Sequence, residues 1–113
     1  MSSAKKQQKT NWIGGAIRHL EVLCKEATER AGEDEIAPSD TAKTAAIEVL
    51  KQCSHAPSPT IGVTDDGEIV LTWRNSGDSF AAYVSYHGKL KFYRNQTLVE
   101  QAAFAKNLTA VPA

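Results

Sequence analysis

The stretch Glu68-Ile-Val-Leu-Thr-Trp-Arg74 alternates apolar and polar side chains with a period of two. Successive side chains of an extended chain point to opposite faces. Ile69, Leu71 and Trp73 therefore share one face, and Val70, Thr72 and Arg74 the other. Immediately upstream lies Asp65-Asp-Gly67, preceded by Thr60-Ile-Gly-Val-Thr64 with Ile61 and Val63 on one side. Asp-Gly readily takes positive φ at both central positions of a hairpin turn, so the two runs predict an antiparallel hairpin.

Working downstream, Asn75-Ser-Gly-Asp-Ser79 reads as a second turn. Phe80–His87 alternates again, with Phe80, Ala82, Val84 and Tyr86 set against Ala81, Tyr83 and Ser85. His87-Gly88 makes a third tight turn, and Lys89–Arg94 follows with Leu90 and Phe92 inward, Lys91 and Tyr93 outward. These runs predict a four-stranded antiparallel meander with one apolar face that must be covered. Asn95–Asn107 then reads as a helix with Leu98, Val99, Ala102, Ala103 and Phe104 as its stripe. Asn95 or Thr97 would cap it, with Glu100 in the capping-box position relative to Thr97.

Working upstream, the period changes to that of a helix. Trp12, Ile13, Ala16, Ile17, Leu20, Leu23, Cys24 and Ala27 recur at spacings of three and four, which marks one buried stripe. Gly14-Gly15 would weaken its first turns by about 1 kcal/mol per glycine relative to alanine. Either the helix begins after the pair or something packs very close to it. Gly32 ends this helix, and Glu33–Ala37 is an acidic loop. Pro38-Ser-Asp40 offers an N-cap for a second helix with Ala42, Ala45, Ala46, Val49, Leu50 and Cys53 on its stripe. Pro57 and Pro59 stop it. The expected fold is α+β: an N-terminal helical hairpin packed on the meander, with a C-terminal helix. Residues 1–9 are polar and aperiodic and read as a disordered tail, 10–108 form a single domain, and 109–113 are a loose end.

Composition narrows the function. The chain has 113 residues, with 13 basic and 13 acidic side chains. That length suits one modest core, and balanced charge gives no steering toward nucleic acid or acidic membranes. No apolar run approaches the roughly 20 residues of a membrane span, and the basic start lacks the apolar stretch of a signal peptide, so a cytoplasmic protein is expected. The two cysteines, Cys24 and Cys53, fall on apolar helix faces. In a helical hairpin they would be offset by about seven residues, on the order of 10 Å, beyond the ~7 Å between Cα atoms that a disulfide tolerates. They read as reduced core thiols.

No motif for catalysis, metal or cofactor emerges, and no enzyme is expected. A nucleophilic thiolate must be exposed and flanked by positive charge, whereas both cysteines sit among alanine, leucine and valine. His19 lies among helical residues, His55 follows a helix end, and His87 occupies a turn, each without a general-base constellation. Cys53-Ser-His55 has no second ligand pair, and Asp65-Asp-Gly-Glu68 is too short for a calcium loop. The glycines form neither a dinucleotide fingerprint nor a phosphate loop.

The outward sheet face has more to offer. It carries the basic residues Arg74, Lys89, Lys91 and Arg94 with Tyr83, Tyr93 and Thr72. Tyrosine and arginine are favoured anchors in protein interfaces, so Thr72, Arg74, Tyr83, Lys91 and Tyr93 are the candidate partner-binding residues. Aromatics interleaved with cations can also stack single-stranded bases, which makes nucleic-acid binding the alternative. Edge strands at Thr60 or Lys89 could pair with a partner or with a second copy in a homodimer.

The runs Pro57-Ser-Pro-Thr-Ile61 and Asp66-Gly-Glu-Ile-Val-Leu-Thr-Trp73 resemble the core pattern of small, uncharacterised bacterial and phage accessory proteins. Those place helices first, then a Pro-x-Pro-x-Ile strand and an Asp-Gly-x-Ile-x-Leu-x-Trp hairpin. The likeness spans residues 39–94 and includes the Tyr83–Tyr93 region. It implies the kind of small protein that accompanies toxins or defence systems, and it carries over no site residues. The functional expectation is a non-enzymatic interaction module, such as an antitoxin, immunity protein or phage-encoded inhibitor, that binds a partner protein.

Overall fold

The computed structural model describes the backbone of residues 2–75 and 77–110 and the side chains of 12–75 and 77–108. In chain order the elements are α1 (Ser2–Arg30), α2 (Asp40–Gln52), β1 (Thr60–Val63), β2 (Ile69–Asn75), β3 (Asp78–Val84), β4 (Leu90–Arg94), β5 (Thr97–Val99) and α3 (Gln101–Ala110). The class is α+β, as the periodicities predict. The strands form one antiparallel sheet in the order β1-β2-β3-β4-β5.

The register aligns the apolar positions across strands. Leu71 stands opposite Ile61 on β1 and Ala82 on β3, and Ala82 in turn stands opposite Phe92 on β4. Ile69 pairs with Val84, and Trp73 with Phe80. All of these are buried, and the helices complete the core: Ala16, Leu20 and Cys24 from α1, Ala42, Ala46, Val49 and Leu50 from α2, Phe104 and Leu108 from α3. Helix α1 packs on α2 and against β1, α2 lies over β2 and β3, and α3 lies over β4. Polar ties also fasten the helices. Trp12 Nε1 donates to the Ala56 carbonyl at 3.0 Å, Gln101 Nε2 to Gln52 Oε1 at 2.8 Å, and the buried Asn75 Nδ2 to the Leu108 carbonyl at 3.0 Å.

Several expectations need correction. Helix α1 begins at Ser2, where a disordered tail was expected; Ala4 and the Lys and Gln residues of 5–9 are good helix formers, so aperiodicity alone does not stop a helix. It also runs straight through Gly14-Gly15. A Cβ on Gly15 would meet nothing within 4 Å, so neither close packing nor a late start explains the pair.

The Asp-Gly turn differs as well. Only Gly67 has positive φ (75°). Thr64 N donates to the Glu68 carbonyl at 2.9 Å and Gly67 N to the Thr64 carbonyl at 3.1 Å, closing a three-residue loop that ends in a left-handed glycine. Ser85–Lys89 repeats this design with Gly88 (φ 84°), which leaves Tyr86 in the turn and 41% exposed rather than inward on β3.

The largest difference concerns residues 95–100. Asn95 and Gln96 both take positive φ (50° and 69°) and reverse the chain into a fifth strand. The helix expected from Asn95 therefore begins at Gln101, with the Glu100 carbonyl accepting from Phe104 N at 2.9 Å. Its buried residues are Phe104 and Leu108, whereas Ala102 and Ala103 are exposed and Leu98 is 64% exposed on β5. Thr97-Leu-Val99 includes β-branched residues that suit a strand. Helix α3 extends to Ala110; the rest of the expected loose end, 111–113, lies outside the described residues.

Candidate partner-binding face

With three helices on one face of the sheet, the other face carries the alternate residues of each strand. The register arranges them in rows. Thr60, Thr72, Ala81, Tyr93 and Leu98 stand opposite one another from β1 to β5. On one side of this row lie Gly62, Val70, Tyr83 and Lys91, and on the other Arg74 opposite Ser79. Ala81 is the smallest side chain of the middle row, flanked by larger ones, and a shallow site opens over it. A groove of about 730 Å³ is lined by Thr60, Thr72, Arg74, Ser79, Ala81, Tyr83, Tyr93 and Gln96 among others.

Four of the five candidate residues thus meet in one groove: Thr72, Arg74, Tyr83 and Tyr93. Lys91 is exposed and opposite Tyr83 on the same face, but it does not line the groove. The two tyrosine rings meet edge to face, with centroids 5.4 Å apart. Diagonal neighbours on adjacent strands are within reach of such long side chains, and this contact holds both rings in place. Arg74 is exposed and, among the described residues, its guanidinium has neither an ion-pair nor a hydrogen-bond partner.

Arg94 does not belong to this face. By strand parity it aligns with Phe92, and its guanidinium lies 5.8 Å from the Phe80 ring centroid. Nη2 of Arg94 donates to Asp78 Oδ2 at 2.8 Å. Asn95 Nδ2 donates to Asp78 Oδ1 at 3.0 Å, and Asn95 Oδ1 accepts from Ser79 N at 2.9 Å. Hydrogen bonds from Asn95 and then Arg94 hold the Asp78 carboxyl below its ordinary value. This network fixes the β4–β5 turn and so positions Gln96 at the groove rim. Gln96 and Ser79 were not among the expected site residues. Parity identifies Ser79, but Asn95-Gln96 reads as a helix cap until its positive φ values are seen.

The other candidates for chemistry are dispersed. Cys24 and Cys53 are free and buried. Burial raises the Cys24 thiol, partly opposed by Lys43, and pushes Cys53 up to about 11. Both are protonated thiols at neutral pH. His55 and His87 are exposed, and the His87 ring rests on Tyr86 with centroids 5.4 Å apart. Among the described residues no group of three His, Cys, Asp or Glu side chains could hold a metal ion, and no helix is long and apolar enough to cross a membrane. Comparison with protein families, with curated proteins and with solved structures found no match to this chain.

Proposed function

We propose that the protein is a small non-enzymatic interaction module that holds a partner protein on the outer face of its sheet, as an antitoxin, immunity protein or phage-encoded inhibitor would. The observation that supports this reading is the groove over Ala81, which combines an unengaged arginine with a pre-arranged tyrosine pair on a rigid sheet. Aromatic and arginine side chains on a fixed scaffold lose little freedom on binding and act as anchors. Single-stranded nucleic acid fits less well. The tyrosine rings engage each other, and among the described residues Arg74 is the one cation that lines the groove. A strand of bases needs open ring faces and a track of positive charge.

The test is capture from the native host extract with the full chain as bait, repeated with Ala81→Trp, which fills the groove without touching the covered face. A protein retained by the wild type and lost by Ala81→Trp is the expected result. A partner held equally by both chains, or no partner at all, would refute the assignment.

A further inference from the structure

We infer that the partner presents an acidic, extended segment to the groove, with a carboxylate seated on Arg74 and the adjoining chain lying across Thr72 and Ala81 against the tyrosine pair. The inference rests on the partner-binding reading and adds the chemistry of what is bound.

Charge carries the argument. Among the described residues the groove lining includes one cation, Arg74, and no Asp or Glu. Around Arg74 stand the hydroxyl-bearing residues Ser58, Thr60, Thr72 and Ser79. A guanidinium without an internal partner is a fork of donors, and planar carboxylate is the protein group that matches it in two places at once. Elsewhere the protein pairs its half-buried arginine: Arg94 meets Asp78 at 2.8 Å. Among the described residues Arg74 has no such counterion, so an acidic partner residue gains the full pairing without displacing one of them. Lys91 stands opposite Tyr83 on the far side of the middle row and adds a second positive charge to the same face. The space over Ala81 is bounded by Thr72 and Tyr93 in the same row and suits a chain laid along the sheet.

The experiment follows amide resonances of the full chain during titration with a short poly-L-glutamate, with poly-L-lysine and oligothymidylate as parallel probes. Poly-L-glutamate should shift the amides of Thr72, Arg74, Ser79, Ala81 and Gln96. Resonance assignment separates this site from nonspecific attraction to the lysines of 5–9. Arg74→Ala should weaken that binding about tenfold or more, the effect of one charge-assisted pair, and Arg74→Lys should restore part of it. Thermal midpoints of both variants should match the wild type, because Arg74 is exposed. Groove amides unmoved by poly-L-glutamate, or equal binding by Arg74→Ala, overturn the inference. So does oligothymidylate shifting the same amides at lower concentration. If the glutamate probe fails while Ala81→Trp still abolishes capture of a protein, partner binding stands and only the acidic chemistry falls.

Discussion

A Cβ atom on Gly67 would stand 2.9 Å from Cδ1 of Tyr86. It would also lie 3.0 Å from the Ala37 carbonyl oxygen and 3.2 Å from Cγ2 of Ile36. The β1–β2 loop is thus wedged between the α1–α2 connection and the β3–β4 loop. Gly88 is placed in the same way, since its Cβ would come within 2.8 Å of Cγ2 of Thr41 on α2. Ser39 caps α2 by accepting from Ala42 N at 3.0 Å and donates to the Tyr86 carbonyl. Two sheet loops and one helix start therefore lock together at the end of the sheet that faces the α1–α2 connection.

Gly67→Ala should accordingly lose more stability than Gly77→Ala. Both glycines have positive φ, 75° and 87°. A Cβ on Gly77 meets nothing within 4 Å, so alanine there costs only the left-handed conformation, ~1 kcal/mol. At Gly67 the close backbone oxygen adds an overpacking cost, for a total of at least ~2 kcal/mol. Urea unfolding of the two variants decides the point. Equal losses would mean that the wedge contributes nothing.

Phe104 and Leu98 should differ sharply in what substitution costs. Phe104 is 1% exposed, and its ring meets Phe92 at 4.8 Å and both Trp73 and Phe80 at 5.7 Å. Phe104→Ala should cost about 3–5 kcal/mol. Leu98→Ser, on the exposed side of β5, should change stability by less than ~0.5 kcal/mol. A comparable loss at both positions would contradict a fifth strand and restore the helix that periodicity suggests for 95–107.

The contrast between those two residues shows what was legible. Ile69, Leu71 and Trp73 alternate over a full strand, and the covered face follows from them directly. The outward face follows by the same parity, which puts Thr72, Arg74, Tyr83 and Tyr93 on one side of the sheet. Charge alone groups Arg94 with the outward cations, but its parity with Phe92 puts it on the inner side. Leu98 reads as helical because three residues of strand are too few to display a period, and the turn before them has Gln96 where glycine is the usual left-handed residue. The unpaired state of Arg74 depends on where every acid falls in space, which no local pattern encodes.

Gly15→Ala should stabilise the protein by about 0.5–1 kcal/mol. Gly15 lies within α1, is exposed, and has room for a Cβ. Glycine inside a helix sacrifices backbone entropy that alanine retains as stability. Thermal unfolding of the single variant is the measurement. A lower midpoint would show that some contact made in solution needs the bare glycine backbone.

The two thiols should resist modification until the protein opens. Cys53 is 1% exposed and its thiol is pushed up to about 11, so at pH 8 it supplies almost no thiolate for a disulfide reagent. Native protein should label very slowly, and protein in concentrated urea completely. The same shift predicts an alkaline weakness. Because the folded value exceeds the unfolded value of 9.0, the contribution of the thiol is fully present below pH 9 and is lost as pH rises through about 11. Cys53→Ala should flatten the fall in stability across that window. Rapid labelling of the native protein would place the thiol outside the core.

Asp78 should govern an acid limb. Its carboxylate accepts from Arg94 Nη2 at 2.8 Å and from Asn95 Nδ2 at 3.0 Å, and both bonds favour the ionised form, so the folded pKa lies below the ordinary 3.8. The native state then binds fewer protons than the unfolded state as pH falls toward that range, and stability declines with it. The contribution is intact above the unfolded value and disappears once pH has dropped through the folded one. Asp78→Asn keeps the shape but not the charge. Its unfolding midpoint should fall below that of the wild type at pH 7, with the gap closing below about pH 4. Because this network sets the turn that holds Gln96, the variant should also broaden or shift the Gln96 amide resonance at pH 7 while leaving those of β1 unchanged. A gap that persists unaltered to pH 2 would show that Asp78 acts through packing and not through its charge.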